Sequence, residues 1–162
     1  NSNLIIFGGK KDTCKQFSNF YFEFTNCVCK DYVFTDQITA SLTKYTINSF
    51  LATKVIFFNE MHSLFNSHKS NESWEDFISV ISRDARIGNS HMSVPGSDGR
   101  YGFGGACFPK DTNAIVKYAE SINCDLNLIR STIHINNNIR QSYAKLTDRE
   151  LEQNVKFNIE EE

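Results

Sequence analysis

The sequence predicts a mainly α-helical fold built on one long helix, with a short strand-helix unit at its N-terminus. The stretch from Asp36 to about Ser67 is apolar nearly all round a helix. Further amphipathic segments follow at helical spacing on both sides of a glycine-rich loop. Only the start of the chain has the short apolar run of a strand. With 162 residues, 40% hydrophobic and 22% charged, the chain fits one globular domain or a domain with an attached fragment.

The N-terminal unit begins with an apolar run, Leu4 to Phe7, which Gly8 and Gly9 end. A helix is predicted from Lys11 to Phe24, and a second extended stretch around Tyr32 to Phe34. A lone strand-helix unit cannot bury both of its faces. Either the unit packs on the rest of the chain or its parent sheet is missing from these residues, and we expect the missing sheet.

The long helix is predicted from Asp36 to about Ser67, with Thr35 or Asp36 as its N-cap. Its apolar residues lie on several faces, so neighbours within one small chain are too few to cover it. This pattern predicts a homodimer that forms through the long helix.

Three shorter helices follow. Ser73 to Asp76 has the form of a capping box, and a helix is predicted from there to about Arg83. Apolar residues at helical spacing predict a second helix after the glycine loop and a third near the end of the chain. The second helix carries Ile115, Tyr118, Ala119 and Ile122, and the third carries Leu128, Ile135, Ile139, Tyr143 and Leu146.

Composition excludes several functions. The net charge of -2 provides no basic surface for nucleic acid. The most apolar stretch, Ile47 to Phe65, is interrupted by polar and charged residues, so it is predicted not to span a membrane. Asn1 to Asn3 lack the basic start and the apolar core of a signal peptide, and a cytoplasmic location is expected. Five cysteines without framework spacing indicate a reducing compartment, and neither they nor the four histidines form a metal-binding pattern.

The segment GFGGACFPKD, from Gly102 to Asp111, is the strongest chemical signal. Pro109 is well tolerated as the first helical residue, so a helix is predicted to start there. Cys107 would then lie just outside the positive end of the helix dipole, where a thiolate is favoured. Irregular backbone is concentrated around this point, between Gly88 and Pro109, where six of the eight glycines and both prolines fall.

Three other residues are candidates for chemistry near Cys107. Asp111 is four residues further on, and Lys44 and Asn48 are spaced i, i+4 on the long helix. Each has a simpler interpretation. Cys107 could be a small buried hydrophobe, Asp111 a first-turn acid that favours the dipole, and the pair on the long helix a solvated face.

Together, four segments resemble the nucleotide-sugar dehydrogenase family that includes UDP-glucose 6-dehydrogenases. They are LIIFGG at Leu4 to Gly9, KYTINSFLATKVIFFNE at Lys44 to Glu60, DARIG at Asp84 to Gly88, and GFGGACFPKD. Their order and spacing fit the central part of these enzymes from about Leu4 to Asn138. The Phe50-Leu51-Ala52 run and the CFPKD form resemble the UDP-glucose branch more than its relatives.

The resemblance implies oxidation of a UDP-sugar at C6 to the carboxylate, UDP-glucuronate for UDP-glucose, in two NAD-dependent steps through a cysteine thioester. It implies that Cys107 is the nucleophile and that Lys44 and Asn48 stabilise the oxyanion. Asp111 would position or activate the hydrolytic water.

The resemblance also implies substrate-binding residues and an assembly. The backbone at Phe103 and Gly104 would line the sugar, and Arg86 would reach the substrate site of the neighbouring subunit. The long helix matches the helix through which the family dimerises.

The chain departs from the family pattern in several places. No GxGxxG motif opens a strand-helix unit, so NAD would be bound by a domain absent from this chain. Residues 1–34 are expected to be the C-terminal end of the NAD-binding Rossmann domain, and residues 35–162 the helical central domain. This fragment alone is expected to be inactive. Ser41 replaces a usual acidic residue, and the loop from Asn89 to Tyr101 is longer than in some members.

Two other functions stay open. The chain could be a non-catalytic dimeric module that binds nucleotide sugars or another protein. It could also be a small thiol enzyme with its own chemistry, although no general-base histidine lies next to Cys107 in sequence. The joint presence of Lys44, Asn48, Cys107 and Asp111 favours the dehydrogenase.

Overall fold

The computed structural model describes residues 4–29 and 31–157. Within these residues there are six helices and a two-stranded sheet, so the mainly α class with a small strand-helix unit is confirmed. The chain divides into two compact units between Ile47 and Asn48. The domain boundary predicted after residue 34 stays a prediction.

The first unit contains β1 (Ile5–Gly8), α1 (Lys11–Phe24) and β2 (Tyr32–Thr35). The strands pair in parallel, with Ile5 opposite Tyr32 and Gly8 opposite Thr35. Phe7 provides the buried centre, because its ring lies 6.0 Å from that of Tyr21 and 5.6 Å from that of Phe34. The helix has the predicted bounds.

The long helix α2 (Gln37–Asn66) contains the point at which the two units divide. Of the two predicted caps, Thr35 and Asp36, it is Asp36 that caps the helix. The amide nitrogen of Thr39 donates to the Asp36 carboxylate at 2.9 Å and the Thr39 hydroxyl donates to it at 2.6 Å. These bonds from Thr39 lower the pKa of Asp36 below its usual range. The cap explains why the helix begins here and not in the preceding strand.

The second unit comprises the part of α2 from Asn48 together with four further helices. These are α3 (Trp74–Ser82), α4 (Cys107–Ser121), α5 (Asn127–Gln141) and α6 (Asp148–Glu152). Ser73 caps α3 by accepting a hydrogen bond from the Asp76 amide, as its sequence predicts. Buried residues of this unit include two apolar clusters, one of Phe58, Trp74, Met92 and Val94 and one of Ala52, Ile56 and Phe103.

The predicted start of α4 and the predicted end of α5 are wrong. α4 begins at Cys107 and not at Pro109, so the cysteine lies inside the first turn. Proline is compatible with any position of the first turn, because the amides there have no intrahelical acceptor. The last predicted helix ends at Gln141, and Tyr143 and Leu146 lie in a turn before α6.

One face of α2 leaves large apolar side chains in solvent. Phe50, Phe57 and Leu64 recur every seven residues and are 64%, 52% and 53% exposed. Residues seven apart lie nearly on the same side of an α-helix. The dimer stays a prediction, and this stripe is the surface on which it depends.

No helix in residues 4–29 and 31–157 combines the length and the apolar character needed to cross a membrane. The 30-residue helix α2 is long enough, but polar side chains interrupt it, and Lys54 and Asn59 are among its buried residues.

Candidate functional site

Two buried asparagines hold the backbone of the glycine loop. Asn59 Oδ1 accepts a hydrogen bond of 2.9 Å from the Gly102 amide, and Asn136 Oδ1 accepts one of 2.7 Å from the Phe103 amide. The Asn59 NH2 group donates to the Val55 carbonyl at 2.8 Å, which fixes the orientation of its amide. The loop that leads to Cys107 is therefore attached to both α2 and α5.

Glycine is required at two positions of this loop. Gly102 has a φ of +71°, and a Cβ there would lie 2.7 Å from Asn136 Oδ1. At Gly104 a Cβ would collide with the guanidinium of Arg140 and the carboxylate of Glu150. Gly104 is thus needed because a buried ion pair lies directly against its backbone.

That ion pair joins the last two described helices to the loop. Arg140 Nη2 lies 2.5 Å from Glu150 Oε1 and 2.8 Å from Asp98 Oδ2. Arg140 Nη1 also donates to the Tyr101 carbonyl at 3.3 Å. The side chains of Arg140 and Glu150 are almost fully buried, at 1% and 0% exposure. The segment from Asp98 to Tyr101 is therefore attached to a buried charge.

Glu150 is ionised despite its burial. Burial alone raises the pKa of this carboxyl group, but the hydrogen bonds from Thr147 and the bond and charge of Arg140 together lower it below its usual range. Thr147 and Glu150 also form the capping box of α6, so the cap of the helix holds the carboxylate in place.

Cys107 is the first residue of α4 and its thiol is free and exposed. The prediction that it could be a small buried hydrophobe is wrong. Residues i and i+4 share a helix face, so Asp111 lies one turn further along on the side of Cys107. Cys107 thus lies at the N-terminal end of a 15-residue helix.

Asp111 is 1% exposed and accepts a hydrogen bond of 2.6 Å from the side-chain amide of Asn48. Lys110 Nζ lies 3.9 Å from its other carboxylate oxygen. The structure thus brings together two of the predicted site residues, 63 positions apart in sequence. Asn48 is half-buried and Asp111 buried, so neither side chain is simply solvated.

Lys44 lies on α2 one turn before Asn48, in the first of the two compact units. Its ammonium nitrogen is 5.2 Å from the centre of the Tyr45 ring.

Arg86 is 88% exposed, in the turn between α3 and the glycine loop. Asp84 binds it in bidentate fashion, with Nε 2.9 Å from Oδ1 and Nη2 2.6 Å from Oδ2. The side-chain bonds from Arg86 lower the pKa of Asp84 below its usual range. The bidentate contact holds the guanidinium of Arg86 beside Asp84.

Residues 38–138 match the model of the UDP-glucose/GDP-mannose dehydrogenase family, central domain. The chain belongs to this family. It is 38% identical over 117 residues to the UDP-glucose 6-dehydrogenase YwqF of Bacillus subtilis, covering 72% of this chain and 24% of the relative. It is 35% identical over 113 residues to the UDP-glucose 6-dehydrogenase of Rhizobium meliloti, covering 70% of this chain and 24% of the relative. The chain therefore spans about a quarter of the length of these curated relatives.

A solved structure agrees with the family assignment. The UDP-glucose dehydrogenase of the hyperthermophilic archaeon Pyrobaculum islandicum superimposes with a TM-score of 0.69 at 25% identity, covering 85% of this chain and 30% of that one. The family resemblance inferred from the four segments is thus confirmed by sequence and by fold.

Sequence reasoning missed the residues that hold the glycine loop. They are Asn59, Asn136, Arg140, Glu150 and Asp98. One signal was present. Thr132, Asn136 and Arg140 recur every four residues on α5 and are all buried, and a polar stripe on the buried face of a helix requires polar partners.

Proposed function

We propose that this chain is the central domain of a dehydrogenase that oxidises the C6 alcohol of UDP-glucose to the carboxylate of UDP-glucuronate. One observation carries the proposal. In a chain of this family, an exposed cysteine begins α4, and the hydrogen-bonded pair of Asn48 and Asp111 lies one turn along from it.

The dinucleotide-binding motif GxGxxG is absent from the described residues, including the connection between β1 and α1, where only Gly8 and Gly9 are glycines. Gly102 to Gly105 follows an irregular segment and not a strand, whereas a dinucleotide-binding loop joins a strand to a helix. NAD, the hydride acceptor for both oxidations, would therefore be bound by segments outside these 162 residues. The steps assigned to this chain are the ones that form and break bonds at Cys107.

Cys107 attacks the C6 aldehyde through its thiolate sulfur, and the new carbon–sulfur bond gives a thiohemiacetal. Loss of hydride from C6 converts the adduct into a thioester. Water then attacks the thioester carbon, the carbon–sulfur bond breaks, and the carboxylate and the free thiol are released. The free and exposed thiol of Cys107 supports this role, because a nucleophile must be accessible to the aldehyde carbon.

Asn48 donates a hydrogen bond to the oxygen that becomes negative in the tetrahedral adducts. An amide NH2 group carries two hydrogens, and Asp111 accepts only one of them. The family resemblance implies that Lys44 supplies positive charge to the same oxygen. Asp111 orients the Asn48 amide and positions the hydrolytic water, and its burial favours this orienting role.

Arg86 binds the nucleotide sugar in the site of the neighbouring subunit, where its guanidinium suits a phosphate or a sugar oxygen. The exposure of Arg86 and its fixed geometry beside Asp84 support this role. The backbone at Phe103 and Gly104 lines the sugar. The homodimer forms through α2, whose exposed stripe of Phe50, Phe57 and Leu64 supplies the apolar contact.

The proposal is tested on the full-length protein with UDP-glucose and NAD. We expect two NADH per UDP-glucuronate, and loss of carboxylate formation in Cys107→Ala. Cys124→Ala is the matched control, because Cys124 is also free and exposed. Binding of UDP-glucose without any turnover in the unsubstituted protein would instead support the non-catalytic module.

A further inference from the structure

Lys54 is a buried cation that the proposed mechanism does not use. It lies on α2, its residue is 8% exposed, and its ammonium donates to the Ile87 carbonyl at 2.9 Å and to the Gly88 carbonyl at 3.4 Å. The ammonium also lies 5.9 Å from the centre of the Phe58 ring. Its hydrogen bonds therefore end on the backbone of one short turn.

Burial of the Lys54 ammonium lowers the stability of the folded state. Burial lowers the pKa of Lys54, because the charged form loses water. Among residues 4–29 and 31–157, no carboxylate lies within ion-pair distance of its nitrogen. The hydrogen bonds to the two carbonyls offset part of this cost, and removing the donors would release the turn on which they end.

The turn that Lys54 holds is the one that carries Arg86. Ile87 and Gly88 follow Arg86 directly, and Asp84 precedes it by two residues and binds its amide at 3.0 Å and its guanidinium. The backbone is therefore fixed on both sides of an arginine that is itself 88% exposed. Lys54 provides the connection between this turn and α2.

We propose that Lys54 is a positioning residue that holds the turn 84–88 against α2 and so sets the direction in which Arg86 extends toward a nucleotide sugar in the partner subunit. The inference rests on the proposed function for the part that concerns substrate binding. The part that concerns the turn can be tested without any substrate.

The test compares Lys54→Met, which keeps the length of the side chain but removes its donors, with Lys54→Arg, which keeps donors and charge. Lys54→Gln replaces Lys54→Met in the comparison if the Met variant does not fold. Lys117→Met is the matched control, because Lys117 is an exposed lysine on α4. All variants are made in the full-length protein, alone and together with Arg86→Ala.

Two readouts are needed. The first is the rate at which trypsin cuts the Arg86–Ile87 bond, which reports how tightly the turn is held without reference to substrate. The second is the Kd for UDP-glucose, measured by calorimetry without NAD, together with KM and kcat. In Lys54→Met we expect faster cleavage at this bond and a Kd and KM raised roughly ten- to a hundredfold, with kcat nearly unchanged. Lys54→Arg should keep most of the resistance to trypsin at this bond and most of the affinity for UDP-glucose.

The proposal is supported if Arg86→Ala raises the Kd and adding it to Lys54→Met raises the Kd no further, since both changes then remove one interaction. It is overturned if the Met and Gln variants are cut and bind like the unsubstituted protein, or if the two effects on Kd are additive. If Arg86→Ala alone leaves the Kd unchanged, the proposed role of Arg86 fails, and with it the effect of Lys54 on substrate. Faster cleavage in that case still shows that Lys54 holds the turn.

Discussion

The side-chain amide of Asn48 donates a 2.6 Å hydrogen bond to the carboxylate of Asp111 and so joins α2 to the first turns of α4. A carboxylate accepts hydrogen bonds and does not donate them, so the NH2 group of Asn48 must point at Asp111. The hydrogen bond therefore fixes the orientation of the Asn48 amide next to α4, the helix that begins at Cys107.

This pair predicts the effect of Asn48→Ala. Loss of the donor leaves the buried Asp111 carboxylate short of a hydrogen bond, which should lower the free energy of unfolding by about 1–3 kcal/mol. Loss of the oxyanion donor should lower kcat about 10²- to 10³-fold. Urea denaturation and NADH production measure the two effects. Asn66→Ala, at the exposed end of α2, is the control and should change neither. An unchanged kcat in Asn48→Ala would remove the asparagine from the proposed mechanism.

Gly104 gives a prediction about the loop before the cysteine. In Gly104→Ala the new methyl group would collide with Arg140 and Glu150, so the buried pair must separate. Breaking such a pair should lower the free energy of unfolding by about 3 kcal/mol. Gly96→Ala is the control, because its Cβ would meet its nearest atoms at 3.4 Å, an ordinary contact. Chemical denaturation compares the two, and equal midpoints would show that the loop can move aside at little cost.

Glu150 predicts how stability depends on pH. Its pKa in the folded chain lies below its usual value, so the folded state binds this proton less readily than the unfolded state. The stabilisation is fully present above the usual range of a glutamate pKa and is lost as the pH falls through the lower folded value. In Glu150→Gln we expect a lower free energy of unfolding at neutral pH and a flatter decline in acid. The Glu152→Gln variant, on the exposed part of the same helix, should keep the slope of the unsubstituted protein. Identical slopes in all three proteins would contradict the argument.

Local signals were sufficient for most of the fold. The bounds of α1 followed from the apolar run and from Gly8 and Gly9 before it, and Ser73 and Asp36 begin their helices as side-chain caps. The start of α4 was placed two residues late because proline is compatible with several positions of a first turn. A proline therefore locates the first turn of a helix but does not identify the residue at which the helix begins.

The candidate site was less accessible to sequence reasoning. Cys107 and Asp111 were singled out from the glycine loop and the helix that follows it, and Asn48 from its spacing with Lys44, whereas their roles came from the family resemblance. Only the structure shows that Asn48 and Asp111 are bonded across 63 positions. The pair of Arg140 and Glu150 depends on the turn between α5 and α6, and α6 was not predicted at all. A five-residue helix contains too few positions for periodicity, although Thr147 and Glu150 have the spacing of a capping box.

The exposed stripe on α2 predicts the state of assembly. Phe57→Glu places a charge in the middle of the stripe formed with Phe50 and Leu64, so we expect the dimer to dissociate into monomers. Ile122→Glu is the control, because Ile122 is 55% exposed at the end of α4, outside the stripe. Light scattering of the full-length protein measures the molar mass in solution and so distinguishes dimer from monomer. A dimer that persists in Phe57→Glu at low micromolar concentration would place the interface elsewhere.

The shared substrate site predicts complementation between two defective chains. Arg86→Ala chains retain Cys107, and Cys107→Ala chains retain Arg86. If Arg86 acts in the partner's site, each mixed dimer contains one site with both residues and one with neither. Random mixing of equal amounts, after dissociation and reassociation, should therefore restore about a quarter of the unsubstituted activity if Arg86→Ala alone is nearly inactive.

The alternative gives a different number. If Arg86 acts in the site of its own chain, every site in a mixed dimer lacks one of the two residues, and mixing restores nothing. The measurement is NADH production from UDP-glucose before and after mixing, and Cys107→Ala mixed with a Cys107→Ser chain is the control that should stay inactive in either case. The exposure of Arg86 and its bidentate contact with Asp84 favour recovery, because they leave the guanidinium oriented at a surface that a second chain can reach.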